Sequence, residues 1–154
     1  MRAVVQRVSR AGVSVEGRTV GEIADGLLVF AGVAETDEPA DAEYLGEKIA
    51  NLRIFERDGR MNDSVVDRAG GVLLISQFTL LADTRKGRRP NFTSAADPKQ
   101  AVPLLDHLRE RLEAAGIVVA TGRFGAHMEI ETLNDGPVTI VLDSQDRGRP
   151  RRQS

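Results

Sequence analysis

Three hydrogen-bonding side chains, Ser76, Gln77 and Thr79, follow one another where the most apolar segment of the chain ends. The segment 71–81 is predicted to be a strand, in which successive side chains point to opposite faces. Gln77 and Thr79 would then share one face, and Ser76 and Phe78 the other. Because buried polar groups cost free energy unless they are paired, these side chains either bond to neighbouring backbone or form a pocket wall that offers hydrogen bonds to a substrate.

A second polar group of residues, Asn134-Asp135-Gly136-Pro137, has the composition of a β-turn. A glycine at the tip of a rigid turn exposes backbone carbonyls with no side chain in the way, which suits close approach to a ligand. A Gly-Pro bond can also be cis. The sequence leaves open both a simple turn and a ligand-binding turn, and it does not determine the isomer at Pro137.

Motifs for nucleotide or metal binding are missing from the sequence. It has no GxGxxG fingerprint, no phosphate loop with its lysine and no His-Glu-x-x-His motif. It has no cysteine, which excludes thiolate chemistry, and neither of its two histidines has a partner at a suitable spacing. His107 is expected to be partly exposed on a helix, and His127 precedes a strand near a pocket. We therefore predict no metal and no cofactor.

The net charge of −2 argues against a general polyanion binder, but the charge is uneven. The segment 145–154 holds four arginines and one aspartate, and a second basic cluster lies at Arg85, Lys86, Arg88 and Arg89. Such clusters either attract phosphates or are simply solvated loops. No run approaches the roughly 20 apolar residues of a membrane span, and the alternating N-terminus resembles a strand rather than a signal sequence. We expect a cytoplasmic protein with no membrane partner.

Hydrophobic periodicity predicts about eight to ten strands and two main helices. The opening strands are predicted to form a β-meander, and one helix should begin at Asp37-Glu38-Pro39 with Asp37 as its cap. The second should begin at Asp97-Pro98 and end at Gly116. Further strands are predicted over 52–55, 71–81, 117–121, 128–133 and 138–143.

These elements predict one α/β domain with α+β character over residues 1–144. Its sheet should be largely antiparallel or mixed, open or barrel-like, and packed against the two helices. The basic segment 145–154 has little to bury and is predicted to be disordered.

The whole of 1–144 resembles the D-aminoacyl-tRNA deacylase family. Two segments, SQFTL at 76–80 and NDGPVT at 134–139, match the signature segments of that family in order and separation. Three further blocks match as well: Gln6-Arg7-Val8, LRIF at 52–55 with Met61-Asn62 behind it, and Phe124-Gly125-Ala126 leading to Met128. His127 departs from the pattern, since many members carry an acidic or other residue there, and this leaves its role open.

The resemblance implies a homodimer whose active sites lie at the subunit interface. The turn at Gly136-Pro137, with a cis bond, would enter the site of the other subunit, and Arg7 would help to hold it. Its carbonyls would leave no room for an L side chain, so the site excludes the L form by a clash with rigid backbone. Glycine has no side chain, so glycyl-tRNA mischarged on tRNA-Ala should also be accepted.

The implied reaction is hydrolysis of the ester that joins a D-amino acid to the terminal adenosine of tRNA. The ribose 2′-hydroxyl of the tRNA would assist, while backbone N–H groups around Ser76, Gln77 and Phe78 stabilise the oxyanion. Thr79 is the obvious side-chain nucleophile, but no base is evident beside it. Phe124 and Met128 would pack around the substrate together with Phe78. The basic cluster Arg85, Lys86, Arg88 and Arg89 would contact acceptor-stem phosphates.

Three alternatives remain at this level. One is a relative with a trans Gly-Pro bond that edits certain L-aminoacyl-tRNAs, although the NDGPVT form favours the D-specific branch. Another is a non-catalytic RNA-binding or scaffold protein, which loss of SQFTL or Gly-Pro would support. The third is a metal-dependent hydrolase, which the poor histidine supply disfavours.

Overall fold

The computed structural model describes residues 1–150. Its eight strands and two helices agree with the predicted number. Along the chain they are β1 (Arg2–Val15), β2 (Arg18–Ile23), β3 (Gly26–Gly32), α1 (Pro39–Asn51), β4 (Phe55–Arg57), β5 (Arg60–Asp63), β6 (Gly71–Ser76), a 3-10 turn (Phe78–Leu81), α2 (Pro98–Ala114), β7 (Val119–Thr121), β8 (Glu129–Asp143) and a second 3-10 turn (Ser144–Gly148).

Strand β1 is the centre of the main sheet, because three strands pair with it. Along one edge its first half pairs antiparallel with β3 and its second half with β2. Along the other edge it pairs antiparallel with β8 over almost its whole length. β6 and β7 then extend the sheet from β3 as parallel neighbours. β2 curls round to contact β7, which confirms the predicted mixed, barrel-like sheet.

The sheet separates two apolar cores, because side chains alternate along its strands. One core lies under the two helices and includes Val5, Val29, Leu45, Leu74 and Leu108. The other lies inside the curl of the sheet and includes Val8, Val13, Leu28, Leu73 and Ile75. Both faces of β3 and β6 are therefore buried, which explains why these two strands are almost continuously apolar.

The start of α2 is as predicted, and that of α1 is displaced by one residue. Asp97 caps α2 by accepting a hydrogen bond from the N–H of Gln100 at 3.0 Å. The cap of α1 is Glu38, not Asp37, and the Glu38 N–H donates to Asp41 at 2.8 Å. Asp37 instead accepts from the N–H of Ala34 at 2.6 Å.

Four other sequence predictions need correction. The opening is not a meander, since β3 returns to pair with β1 rather than with β2. The short strand expected over 52–55 lies instead at Phe55–Arg57. The apolar strand ends at Ser76 and not at residue 81. The segments 128–133 and 138–143 belong to a single strand, β8.

The basic segment 145–154 is described only in part. Residues Ser144–Gly148 form a 3-10 turn, whereas Arg151 and Arg152 lie outside the described residues. The division of the chain at residue 144 and the disorder of the tail stay predictions. Within 1–150, neither helix is long and apolar enough to cross a membrane.

Candidate functional site

A cleft of about 580 Å³ opens where β3 and β6 end side by side. Its floor comes from these strand ends, at Ala31 and Ser76, and one wall comes from the residues that follow Ser76. The rest of its lining comes from the segment before α2, from α2 itself and from the segment that leads into β8. The cleft is large enough for a small organic ligand.

The chain leaves β6 at Ser76 and turns sharply at Gln77 into the 3-10 turn, so the two-faced arrangement predicted for a strand, with Gln77 and Thr79 on one face and Ser76 and Phe78 on the other, does not extend past Ser76. The N–H of Gln77 donates to the carbonyl of Ala31 at 2.8 Å. Its side-chain amide donates to the Thr79 hydroxyl. Within residues 1–150, the backbone N–H groups of Phe78 and Thr79 donate no hydrogen bond. Two unused donors therefore stand together beside the cleft.

Two contacts hold the 3-10 turn against the end of the sheet. The Arg2 guanidinium donates to the carbonyl of Leu80 at 2.9 Å and also pairs with Asp143 at 3.2 Å. Gly32 lies directly beneath the turn, since a β-carbon there would be 2.7 Å from the carbonyl oxygen of Gln77 and 2.5 Å from the side chain of Leu81. Only glycine permits this close approach.

Aromatic side chains border the cleft on both sides. Phe78 is 57% exposed and lies edge-to-face with Phe92, with ring centroids 5.1 Å apart. Phe124 lies opposite and is 44% exposed. Met128 is partly buried against the inner core and continues the same wall. These side chains expose flat apolar surface on which a nucleobase could stack.

Residues 135–138, here called the Gly-Pro turn, project from β8. Where β8 pairs with β1, Asn134 lies opposite Val8 and Thr139 lies opposite Gln6. The four residues 135–138 of β8 therefore lie opposite a single residue of β1, Arg7. The Asn134 amide closes the base of the turn by donating to the carbonyls of Arg7 at 2.9 Å and Val138 at 3.1 Å. The chain therefore does not reverse here, and a projection from one strand replaces the predicted turn between two.

The Gly-Pro turn rests on Arg7, whose guanidinium is held on both sides. Arg7 is only 9% exposed and donates to the carbonyl of Ile54 at 2.7 Å and to that of Asp135 at 3.2 Å. It also pairs with the Asp135 carboxylate at 3.2 Å. Gly136 has φ of +123°, and its peptide bond to Pro137 is cis. Both residues of the bond are exposed.

The predicted catalytic and substrate-binding residues fall into two separate places. Ser76, Gln77, Phe78, Phe124 and Met128 line the one cleft, and Thr79 adjoins it in the 3-10 turn. Arg7, Gly136 and Pro137 are not among the residues that line this cleft. Within residues 1–150, the Gly-Pro turn therefore lies outside the cleft of its own chain.

The basic cluster lies in residues 83–91, here called the basic loop, which leads into Phe92 at the cleft. Backbone hydrogen bonds of 2.7 and 2.9 Å between Asp83 and Asn91 close the loop. Arg85 binds Asp83 through two nitrogens, and hydrogen bonds from its side chain and backbone lower the pKa of Asp83 to about 2. Within 1–150 no carboxylate pairs with the three other cations, Lys86, Arg88 and Arg89. Arg85 thus braces the loop, whereas these three face solvent.

The two histidines differ in setting. His107 lies on α2 and bonds Glu43 of α1 at 2.7 Å, away from the cleft, while His127 lines the cleft. Residues that the sequence did not single out are Phe92, Arg2 and Gly32. An aromatic residue in an otherwise polar loop was a usable signal for Phe92, but the roles of Arg2 and Gly32 arise only from the packing of the 3-10 turn.

Known proteins match this chain over almost its whole length. The family described as D-Tyr-tRNA(Tyr) deacylase matches residues 4–143. A D-aminoacyl-tRNA deacylase of Chloroflexus aurantiacus is 55% identical over 153 residues, covering 99% of this chain and 96% of that protein. One from Dehalococcoides mccartyi is 57% identical over 152 residues, with 98% and 99% covered.

Two solved structures share the fold. A c-Myc DNA unwinding element binding protein superposes with a TM-score of 0.87 at 38% identity, covering 93% of this chain and 98% of that one. A probable eukaryotic D-amino acid tRNA deacylase superposes with a TM-score of 0.78 at 16% identity, covering 92% and 97%. The matched span 4–143 includes every residue of the cleft and the Gly-Pro turn.

Proposed function

This chain belongs to the D-Tyr-tRNA(Tyr) deacylase family and is an ester hydrolase of D-aminoacyl-tRNA, and on that premise we propose that its cleft holds the aminoacylated end of tRNA while the Gly-Pro turn of a second copy rejects L-amino acids. Residues 1–144 are the catalytic domain, with 145–154 as a basic extension. The observation that carries the proposal is the pair of unused N–H donors, at Phe78 and Thr79, beside an aromatic-lined cleft.

The two N–H groups are suited to the oxyanion of ester hydrolysis. Water attacks the ester carbonyl, negative charge develops on the carbonyl oxygen, and the bond to the ribose 3′-oxygen breaks as that oxygen takes up a proton. Preorganised N–H donors stabilise such an oxyanion at no reorganisation cost. The tRNA 2′-hydroxyl, which neighbours the ester, relays the proton. Ser76 and Gln77 position the wall, and Phe78, Phe124 and Met128 pack around adenosine.

Thr79 serves as a positioning residue rather than as the nucleophile. Its hydroxyl accepts a hydrogen bond from Gln77, and within residues 1–150 no carboxylate, lysine or histidine bonds to it. A hydroxyl without an adjacent base is a weak nucleophile. The geometry therefore supports a mechanism in which attacking water and substrate hydroxyl do the chemistry.

A homodimer would complete the site, since the Gly-Pro turn lies outside the cleft of its own chain. Strand β8 pairs only with β1 within the described residues, so its outer edge is open. That strand also exposes Val141 at 65% and Leu133 at 52%. Two-fold pairing through this region would bury both side chains and give two equivalent sites, each using both chains.

The braced Gly-Pro turn supports the chiral filter. The turn stands on a strand, and Arg7 holds it through the carbonyl and the carboxylate of Asp135, so the turn resists displacement by an intruding side chain. A filter that only excludes would reject L-aminoacyl groups and accept glycine, including glycyl-tRNA mischarged on tRNA-Ala. Arg85 shapes the basic loop, and Lys86, Arg88 and Arg89 contact tRNA phosphates. Since its substrate is aminoacyl-tRNA, we place the protein in the cytoplasm.

Deacylation of matched D- and L-aminoacyl-tRNA tests the activity directly. We expect release from D-aminoacyl- and glycyl-tRNA only, surviving a chelator, and loss of release when the terminal adenosine is 2′-deoxy. Preferred release of the L form would support the L-editing relative. Release of neither, with tRNA still bound, would support a non-catalytic RNA-binding protein.

Hybrid dimers test the cross-subunit filter. One chain carries Gly136→Ala in the turn, and the other carries Ser76→Trp, whose indole fills the cleft. The only open cleft then belongs to the first chain and meets the intact turn of the second. We expect this hybrid to hydrolyse D-aminoacyl-tRNA and reject the L form. If it hydrolyses the L form as readily as the Gly136→Ala homodimer does, the turn acts on its own cleft and the proposal is wrong.

A further inference from the structure

His127 is the one ionisable side chain among the described residues that line the cleft. The other lining residues are apolar or neutral, with polar side chains only at Ser76 and Gln77. His127 is exposed, and within residues 1–150 its ring nitrogens bond to no protein group. Its imidazole therefore stabilises no described part of the fold by a hydrogen bond and is free to bond a ligand at the rim of a largely uncharged cleft.

The backbone on both sides of His127 is fixed. The chain turns at 123–126, where the N–H of Ala126 donates to the carbonyl of Arg123 at 3.2 Å. Met128 then packs against the inner core, and β8 begins at Glu129. Because its neighbours are anchored, the backbone of His127 is fixed at the rim of the cleft that Phe78 and Phe92 also line.

We propose that His127 binds the phosphodiester on the 5′ side of the terminal adenosine, an inference that rests on the proposed function. Adenine and the amino acid match the apolar walls, and the ester faces the N–H groups of Phe78 and Thr79. The phosphodiester is the one part of this ligand that is negatively charged in every aminoacyl-tRNA, and a charge entering an apolar cleft must be paired. Imidazole offers at least one N–H donor in either protonation state.

This role makes His127 a binding residue rather than a base. His127 contributes to the binding of every aminoacyl-tRNA, whatever its amino acid, and it does not act on the ester. Loss of the imidazole should thus weaken binding of a phosphate-bearing ligand and leave the rate of the bound complex unchanged. A contact with the amino acid or a role in proton transfer would instead act on ligands with and without the phosphate.

The experiment compares two non-hydrolysable probes, 3′-deoxy-3′-(D-alanylamino)adenosine with a free 5′-hydroxyl and the same compound as its 5′-methyl phosphodiester. We expect the wild-type dimer to bind the diester about tenfold more tightly, as one charge-assisted contact permits. His127→Ala should abolish this ratio with the affinity for the 5′-hydroxyl probe unchanged, and His127→Lys should restore it. His107→Gln, which removes the other histidine, is the matched control and should keep the wild-type ratio.

Two results would overturn the inference without touching the proposed function. The ratio could survive in His127→Ala, which would assign the phosphate to the basic loop. Both probes could instead lose affinity equally in that variant, which would place His127 against the nucleoside or the amino acid. If the wild-type dimer binds neither probe, the proposed function itself has failed.

Discussion

At Gly136 the backbone and the Arg7 side chain together leave no space for a β-carbon. A β-carbon there would lie 2.8 Å from the Arg7 guanidinium and 2.9 Å from the side chain of Val138. The φ of +123° also disfavours any L residue other than glycine. Gly136→Ala should therefore shift the Gly-Pro turn and raise the rate on L-aminoacyl-tRNA relative to the D form.

Paired deacylation assays measure that change in selectivity. Gly148→Ala is the matched control, because a β-carbon at Gly148 meets nothing within 4 Å. The control should keep wild-type selectivity. Full rejection of the L substrate by Gly136→Ala would show that the position of the turn does not set the filter.

Thr79 allows the identity of the nucleophile to be tested. Thr79→Val keeps the shape of the side chain and removes the hydroxyl that Gln77 binds. We expect the single-turnover rate on D-aminoacyl-tRNA to fall less than about fivefold, since only positioning is lost. Loss of a true nucleophile costs on the order of 10⁴-fold or more, so a loss of that size would assign covalent catalysis to Thr79.

Asp83 should show a pKa well below its ordinary 3.8, at about 2, because Arg85 donates to its carboxylate from both side chain and backbone. A carboxyl with a depressed folded pKa stabilises the loop above the ordinary value and loses that effect as pH falls through the folded one. We expect the basic loop to lose order between about pH 4 and pH 2. An NMR titration of the Asp83 carboxyl checks this, and Arg85→Gln should return the pKa of Asp83 toward 3.8. If the pKa of Asp83 is the same in Arg85→Gln as in the wild type, Arg85 is not its cause.

At the scale of the elements, the 3-10 turn at 78–81 depends on its close packing against β3. Gly32→Ala would place a β-carbon 2.7 Å from the Gln77 carbonyl oxygen. Forcing an extra methyl into such a contact costs roughly 1–3 kcal/mol, and the turn should move with loss of activity. Gly12→Ala is the control, since its β-carbon would meet nothing closer than 3.8 Å. The measurements are the thermal unfolding midpoint and the deacylation rate of both variants. If Gly32→Ala matches Gly12→Ala in both, the 3-10 turn tolerates the displacement and the prediction is wrong.

The sequence predicted elements well where the signal is local. Asp97 with Pro98 marks the start of α2, and Gly116 follows its end, because caps and prolines act on their own turn. It failed for 77–81, where the apolar pattern continues past the end of the strand. The strand ends because the carbonyl of Gln77 accepts from the N–H of Leu80 at 3.3 Å and so opens the 3-10 turn, and this turn packs on Gly32 of β3, which is distant in sequence.

The same distinction applies to the candidate site. Residue types singled out 76–79 and 134–137, the resemblance supplied their roles, and the structure places Ser76, Gln77 and Phe78 at the cleft. That Arg7 lies beneath the turn could not be derived from residue types, since the contact depends on the register of β1 against β8. Phe92 reaches the cleft only because the basic loop folds back through the Asp83–Asn91 bridge.

At the scale of the whole molecule, charge should govern the encounter with tRNA. The chain has a net charge of −2, so its attraction for phosphate depends on local basic clusters, and the basic loop is the one that leads into the cleft. Arg88→Glu with Arg89→Glu should weaken tRNA binding and reduce the slope of log affinity against log salt by about 1–2. Circular dichroism should be unchanged, because both side chains are exposed and unpaired within 1–150.

A control with the same change in net charge separates local contact from general repulsion. Arg18→Glu with Lys48→Glu alters two exposed cations, one on β2 and one on α1. We expect a much smaller loss of affinity from this pair. Unchanged tRNA affinity at low salt in the Arg88/Arg89 variant would exclude the basic loop from the interface.

The pairing of the first strand with the last also fixes when this enzyme can begin to work. β1 is made first, yet its outer edge finds its partner only when β8 has been synthesised as far as Asp143. Contacts so distant in sequence form slowly, since the entropy of closing a long loop is lost before the contacts contribute any stabilising free energy. Likewise, Arg7 can form its ion pair with Asp135 only after β8 has been synthesised. A growing chain on the ribosome thus has neither the braced Gly-Pro turn nor the complete sheet, and it must keep an open strand edge from pairing with other chains until β8 has been made.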